Sequence, residues 1–197
     1  RYSSPTVQYP VLYSARVIRV QYCTVPGTVD LYRRRTVPAY STGVRMRWVY
    51  VTGCDSGFGR IMVEKIRAMD GTGIFAGVYL SASVDELHAL GDPSVVPVQV
   101  DVTDEGSVQN AAKFIREHLQ NAVHNAESGA GAGTVPALYG VCNNAGILIN
   151  PGPTEWTPLS TYKKMMAVNV FGMADVTRSV LPMIRKGKGR IVNTASI

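Results

Sequence analysis

An α/β fold built on a doubly wound parallel sheet is predicted by three features of the chain. From Trp48 onward, short apolar segments alternate with amphipathic ones at helical spacing. The short segments are apolar at successive positions, as in strands buried on both faces. The first of them runs directly into a glycine-rich turn that opens a helix. Right-handed crossovers then place helices on both faces and a ligand site at the carboxyl ends of the strands.

Each element has its own signal. Residues 48–51 are an apolar strand that stops at the turn 52–59. Residues 60–69 carry Met62, Ile66 and Met69 on one helical face, and the glycines of 71–73 end that helix. Residues 74–80 read as a strand. Residues 83–90 read as a short helix with Ser83 as N-cap and Glu86 in the capping-box position. A third strand over 95–100 closes at Asp101, and a helix over 103–119 opens on Thr103. Residues 121–134, rich in Gly and Ala, read as a flexible surface insertion. A strand follows over 137–142. Residues 160–183 form a long helix with Met165, Val168 or Asn169, Gly172 and Val176 along one face, and 189–195 form a last strand.

Residues 1–47 differ from 48–197. They hold six of the ten tyrosines, the prolines at 5, 10, 26 and 38, and eight arginines against a single acid, Asp30. Residues 48–197 carry twelve basic and thirteen acidic residues, so the formal net charge of +6 comes from the first quarter alone. A basic face on the folded domain, and nucleic acid as its partner, are thereby disfavoured. Three readings of 1–47 stay open: a disordered leader, an Arg-rich targeting leader, or an arm for nucleic acid or anionic membrane. The prolines argue against the amphipathic helix of a transit peptide. No apolar run reaches transmembrane length. Cys23, Cys54 and Cys142 are too scattered for a disulfide framework, and His88, His118 and His124 have no metal-ligand spacing with a cysteine.

The turn Thr52-Gly53-Cys54-Asp55-Ser56-Gly57-Phe58-Gly59 carries the strongest chemical signal. Glycine at 53 permits a tight turn, glycine at 57 lets the backbone approach a phosphate group, and glycine at 59 lets the helix pack closely. The anion would then meet the free N–H groups of the helix N-terminus. That same N-terminus would lower the thiol pKa of Cys54, although a turn residue is the simpler reading. Asn143 and Asn144 satisfy a tight turn equally well. Asp101 serves as well as a helix N-cap, Ser196 as a strand-end cap, and Asn169 as a buried structural amide.

Four segments together resemble the short-chain dehydrogenase/reductase family. They are the T-G-x-x-x-G-x-G turn, Asn143-Asn144-Ala145-Gly146 after the fourth strand, Asn169 in Val168-Asn169-Val170, and Ser196 after Gly189-Arg190-Ile191-Val192-Asn193. The resemblance spans 48–197 and none of 1–47. Thr-Gly-Cys-Asp-Ser-Gly-Phe-Gly looks like a branch that holds the retinol and hydroxysteroid dehydrogenases together with the mitochondrial D-3-hydroxybutyrate dehydrogenases, and within it Gly152-Pro153-Thr154-Glu155-Trp156 looks more like the retinol and steroid members. Ser160-Thr161-Tyr162-Lys163-Lys164 and Arg33-Arg34-Arg35-Thr36 look like the mitochondrial D-3-hydroxybutyrate dehydrogenases.

The resemblance implies a Rossmann-like domain that binds a dinucleotide. Thr52, Gly53, Asp55, Ser56, Gly57, Phe58 and Gly59 would hold it. Asp101 and Val102 would lie against the adenine, and Asn143, Asn144, Ala145 and Gly146 would line the cleft. Ser196 would polarise the substrate oxygen, and the Asn169 carbonyl would reach a lysine through water. The implied reaction moves hydride between the cofactor and a secondary or allylic alcohol, such as a retinoid, steroid or 3-hydroxy acid. A homo-oligomer, and association with a mitochondrial or endoplasmic-reticulum membrane, are implied for the intact protein. The resemblance would place the family's Tyr-x-x-x-Lys pair about a dozen residues past Ser196, beyond Ile197, and a further strand with its helix beyond that, so the doubly wound sheet is expected to be incomplete at the C-terminus. These 197 residues are therefore expected not to turn over, and a non-catalytic dinucleotide-binding module is the alternative. NAD is expected over NADP, because Ser56 and Val78-Tyr79-Leu80 stand where NADP-preferring members carry Arg or Lys, and Asp55 would repel a 2′-phosphate. Gly77 occupies the place of an NAD-selective acid.

Overall fold

The computed structural model describes residues 20–23, 47–127, 137–149 and 152–195. Six strands form one sheet: β1 (Val20–Cys23), β2 (Arg47–Val51), β3 (Thr72–Val78), β4 (Val95–Gln99), β5 (Ala137–Asn143) and β6 (Arg190–Thr194). Their order across the sheet is β1-β6-β5-β2-β3-β4. The five strands from β2 on pair in parallel, whereas β1 pairs antiparallel with β6, Val20 opposite Thr194 and Cys23 opposite Ile191. Strand β1 falls within residues 1–47, for which no strand was expected. The rest of 1–47 up to residue 46 lies outside the described residues, as do 128–134 of the expected insertion.

Helices α1 (Gly57–Arg67) and α2 (Ser81–His88) cover one face, and α3 (Glu105–Glu127) and α5 (Met173–Lys186) cover the other. The first core joins Val51, Ile74, Ala76, Val78 and Cys142 to Val63 of α1 and Leu87 of α2. The second joins Trp48, Tyr50, Phe75 and Leu138 to Ile115 of α3 and to Val176, Val180 and Ile184 of α5. Neighbouring strand residues thus point into different cores, which explains the continuous apolar runs. Fully burying each large side chain contributes about 1.5–3 kcal/mol.

Several boundaries shift for physical reasons. Helix α1 ends at Arg67 with Ala68 as its C-cap, ahead of the glycines expected to end it; Gly71, at φ 69°, turns the chain into β3, to which Gly73 belongs. A Cβ on Gly73 would stand 2.7 Å from the Trp48 ring, so this glycine makes room for the indole. Ser83 is buried inside α2 and is not its N-cap; the cap position is Leu80. Asp104, not Thr103, caps α3, accepting the N–H groups of Gly106 (2.8 Å) and Ser107 (3.3 Å). Residues 121–127 extend α3 where an insertion was expected. The long helix is interrupted. The segment α4 (Leu159–Met166) passes through a π turn over Ala167–Gly172 into α5. The ambiguous phase between Val168 and Asn169 is the trace of this extra residue in the turn.

His118 of α3 packs edge-on against Trp48 and Phe75, with ring centroids 5.1 and 5.3 Å apart. Burial holds its pKa below the usual histidine value. The folded state therefore favours the neutral ring. This contribution is complete above the unfolded pKa of about 6.5 and is lost as pH falls through the lower folded value. Melting temperatures of the parent and His118→Gln, compared from about pH 8 to about pH 5, are expected to show a steeper acid-side fall in the parent. Parallel profiles would refute this.

Candidate functional site

Strand β2 has β3 on one side and β5 on the other, so the chain changes direction across the sheet at the carboxyl end of β2. This is where doubly wound sheets open a crevice. The turn after β2 and the turn after β5 meet there. Thr52 is 1% exposed, and its Oγ1 accepts the N–H groups of Asn144 (3.1 Å) and Ala145 (3.0 Å). In return, Asn144 Nδ2 donates to the carbonyls of Thr52 (3.1 Å) and Gly53 (3.2 Å). The Thr194 hydroxyl of β6 donates to Asn144 Oδ1 at 3.5 Å. The ends of three strands are thus tied by side chains that satisfy buried backbone groups.

The three glycines do different work. Gly53 has φ 72°, and a Cβ there would lie 2.8 Å from Ala145 Cα. A Cβ on Gly59 would lie 2.0 Å from the Gly53 carbonyl oxygen. Gly57 has φ 56°, and among the described residues no atom lies within 4 Å of an added Cβ, so it faces open space there. Helix α1 starts at Gly57 with no acid in its first turn and no side-chain cap from Ser56. Its first N–H groups are left for an external acceptor, which suits a phosphate. Phe58, next to them, is exposed.

Asp55 lies on the β3 side of the crevice. Its two oxygens accept the Tyr79 N–H at 3.0 and 2.9 Å, and Oδ1 also accepts the Leu80 N–H at 2.9 Å. The carboxylate is therefore fixed at the carboxyl end of β3. Gly77 leaves no room for an acid of its own. An added Cβ would come within 3.0 Å of the Val51 carbonyl oxygen and 3.1 Å of the Tyr50 ring. Cys54 lies beneath the turn, buried, with Sγ donating to the Val51 carbonyl at 3.3 Å. Burial, then the neighbouring Cys142 and Asp55, push its pKa up to about 12. Desolvation thus works against the lowering that a nearby helix N-terminus would bring, in keeping with the simpler reading of Cys54 as a turn residue.

At the end of β4, Asp101 Oδ1 accepts the Thr103 N–H (2.8 Å) and hydroxyl (2.7 Å) in a local turn. Val102 packs on the π turn, where a Cβ on Gly172 would lie 2.6 Å from the Val102 carbonyl oxygen. In that same π turn, Asn169 Oδ1 accepts the Ile147 N–H (2.8 Å) while its Nδ2 donates to the Ile147 carbonyl (2.9 Å). The side chain grips the segment just after Gly146 and leaves its own backbone carbonyl uncommitted to that grip. Ser196 lies outside the described residues, two positions beyond the end of β6.

Sequence reasoning missed Thr177, Asn193, Thr194 and Ile147. Asn193, a polar residue on the apolar strand 190–194, was the available signal. Thr177 gave none, since a threonine on a helix reads as a spacer.

A short chain dehydrogenase family model matches residues 47–197. Retinol dehydrogenase 16 of Mus musculus is 32% identical over 151 residues, covering 77% of this chain and 43% of that protein. The mitochondrial D-beta-hydroxybutyrate dehydrogenase of Bos taurus is 36% identical over 168 residues, covering 83% of this chain and 45% of that protein. The chain thus spans about half the length of the curated relatives it matches. Among solved structures, an NADPH-bound carbonyl reductase from chicken fatty liver superposes with a TM-score of 0.60 at 26% identity, over 73% of this chain and 50% of that one. With the glycine turn, the Asn143–Gly146 turn and Asn169 lying together at the crevice of a parallel sheet, these likenesses show that the chain belongs to the short-chain dehydrogenase family.

Proposed function

We propose that this chain supplies the dinucleotide-binding half of an oxidoreductase that moves hydride between NAD(H) and a secondary or allylic alcohol, with a retinoid, steroid or 3-hydroxy acid as the substrate class. The observation that carries the reading is the open cradle at Gly57, set against the uncapped start of α1. Its backbone N–H groups would bind the pyrophosphate, and Asp101 and Val102 would flank the adenine. When bound, the nicotinamide supplies the hydride chemistry. Asn169 holds the segment after Gly146 so that the floor of the cleft keeps its shape. Ser196 would donate a hydrogen bond from its hydroxyl to the substrate oxygen. A mitochondrial or endoplasmic-reticulum membrane location and a homo-oligomer belong to the same proposal; among the described residues, no helix is long and apolar enough to cross a membrane.

The position of Asp55 supports NAD over NADP. Its carboxylate, fixed by Tyr79 and Leu80, would oppose the charge of a 2′-phosphate. Titration of the 197-residue chain with NADH and NADPH is expected to give tighter binding of NADH. Asp55→Asn, which keeps an acceptor oxygen for the same N–H groups, should narrow the preference by about tenfold. Tighter NADPH binding by the parent would overturn the cofactor assignment. These 197 residues alone are expected to show no turnover. A chain continued through a Tyr-x-x-x-Lys pair should oxidise one of the three alcohol classes and lose most of that rate in Ser196→Ala. Binding without turnover in the longer chain would favour the non-catalytic module.

A further inference from the structure

We propose that Thr177 of α5 is a positioning residue for the dinucleotide site, a reading that rests on the dinucleotide-binding function above. Asn143 is the last residue of β5 and is 3% exposed. Its Nδ2 donates two hydrogen bonds of 2.8 Å, one to Thr177 Oγ1 and one to Asn193 Oδ1. Asn143 and Asn193 are also register partners in the β5–β6 ladder. The amide is therefore held from two sides, by a helix and by a neighbouring strand. Its Oδ1 has no partner among the described residues. The orientation of the group depends on the two bonds its amino end makes.

That orientation propagates through covalent neighbours. The next two residues, Asn144 and Ala145, donate their N–H groups to Thr52 Oγ1, which anchors the turn before Gly53. The residue after Asn193 is Thr194, whose hydroxyl reaches Asn144 Oδ1. Ser196 follows two positions later. One hydroxyl on α5 thus sets an amide that joins the ends of β5 and β6 and, through them, the end of β2. The apolar packing of α5 on the sheet face runs through Val176, Val180 and Ile184, with Met183 beside them, and apolar packing carries no direction. Thr177 adds the directional contact. Without it the Asn143 amide keeps a single partner and turns about its last torsion, which is broad for this residue type.

The test uses the 197-residue chain with Thr177→Val, which keeps the branched shape and removes the acceptor, and Thr177→Ser, which keeps the hydroxyl. Ile115→Val, a core truncation on α3, reports on general loss of stability. NADH affinity, melting temperature and amide exchange of residues 52–59 and 143–147 are measured for each. Thr177→Val is expected to weaken NADH binding by about tenfold and to speed exchange in both segments, with Thr177→Ser within about twofold of the parent. Ile115→Val should lower the melting temperature and leave NADH affinity unchanged. Parent-like binding by Thr177→Val, or equal losses in Thr177→Val and Thr177→Ser, would overturn the proposal. If the parent itself binds no NADH, the dinucleotide reading fails. The exchange data then decide the coupling alone: faster exchange in Thr177→Val supports it, and unchanged exchange refutes it.

Discussion

Gly59→Ala is expected to destroy dinucleotide binding and to destabilise the domain by about 3 kcal/mol or more. The added Cβ would stand 2.0 Å from the Gly53 carbonyl oxygen and 2.9 Å from Asn144 Nδ2. Neither neighbour yields easily. Gly53 is held at φ 72° against Ala145, and Asn144 Nδ2 is bonded to the carbonyls of Thr52 and Gly53. Relief requires α1 to lift from the sheet, which uncovers Val63 and the core it closes. Gly57→Ala makes the contrast. Its Cβ meets no atom of the described residues, so the fold loses only the cost of a left-handed residue, about 1–2 kcal/mol. Yet that Cβ occupies the space proposed for the pyrophosphate, so NADH affinity should fall far more than stability does. Thermal unfolding and NADH titration of the two variants separate the roles. A Gly57→Ala chain that binds like the parent would mean the phosphate sits elsewhere.

Thr52→Val carries the second large effect. Valine matches the shape of threonine but cannot accept a hydrogen bond. The N–H groups of Asn144 and Ala145 would then be left, in a partly buried site, without the acceptor they have now. A fully buried orphan costs about 1–3 kcal/mol, so with two partly buried ones a loss of about 2–3 kcal/mol is expected from one methyl-for-hydroxyl exchange. Thr52→Ser retains the acceptor and should recover most of it. Urea unfolding of the three chains gives the numbers. A Thr52→Val chain as stable as the parent would show that the two turns are joined by something other than this hydroxyl.

Much of the fold was legible because it rests on short-range patterns. The continuous apolar strands, the helical spacing of Met62 and Ile66, and the glycine turn each report local backbone geometry and one buried face. The antiparallel β1 was not legible, since its pairing with β6 joins residues more than 160 positions apart in the chain. The π turn was visible only as an uncertain phase. A one-residue slip is resolved by what packs on each side, here Val102 against Gly172.

The site divides along the same line. The residues of the turn 52–59 and of 143–146 could be named from sequence, because glycine and asparagine there answer to local turn geometry and to a motif of fixed spacing. Which atom each side chain reaches was decided by the tertiary structure. Asp55 grips backbone 24 and 25 residues away, Asn169 grips Ile147, and Asn143 divides its amide between Thr177 and Asn193. A hydrogen bond requires its partners within a few tenths of an ångström and aligned. Sequence spacing specifies which residues stand at strand ends, whereas sheet register and helix packing bring one strand end to another at that precision.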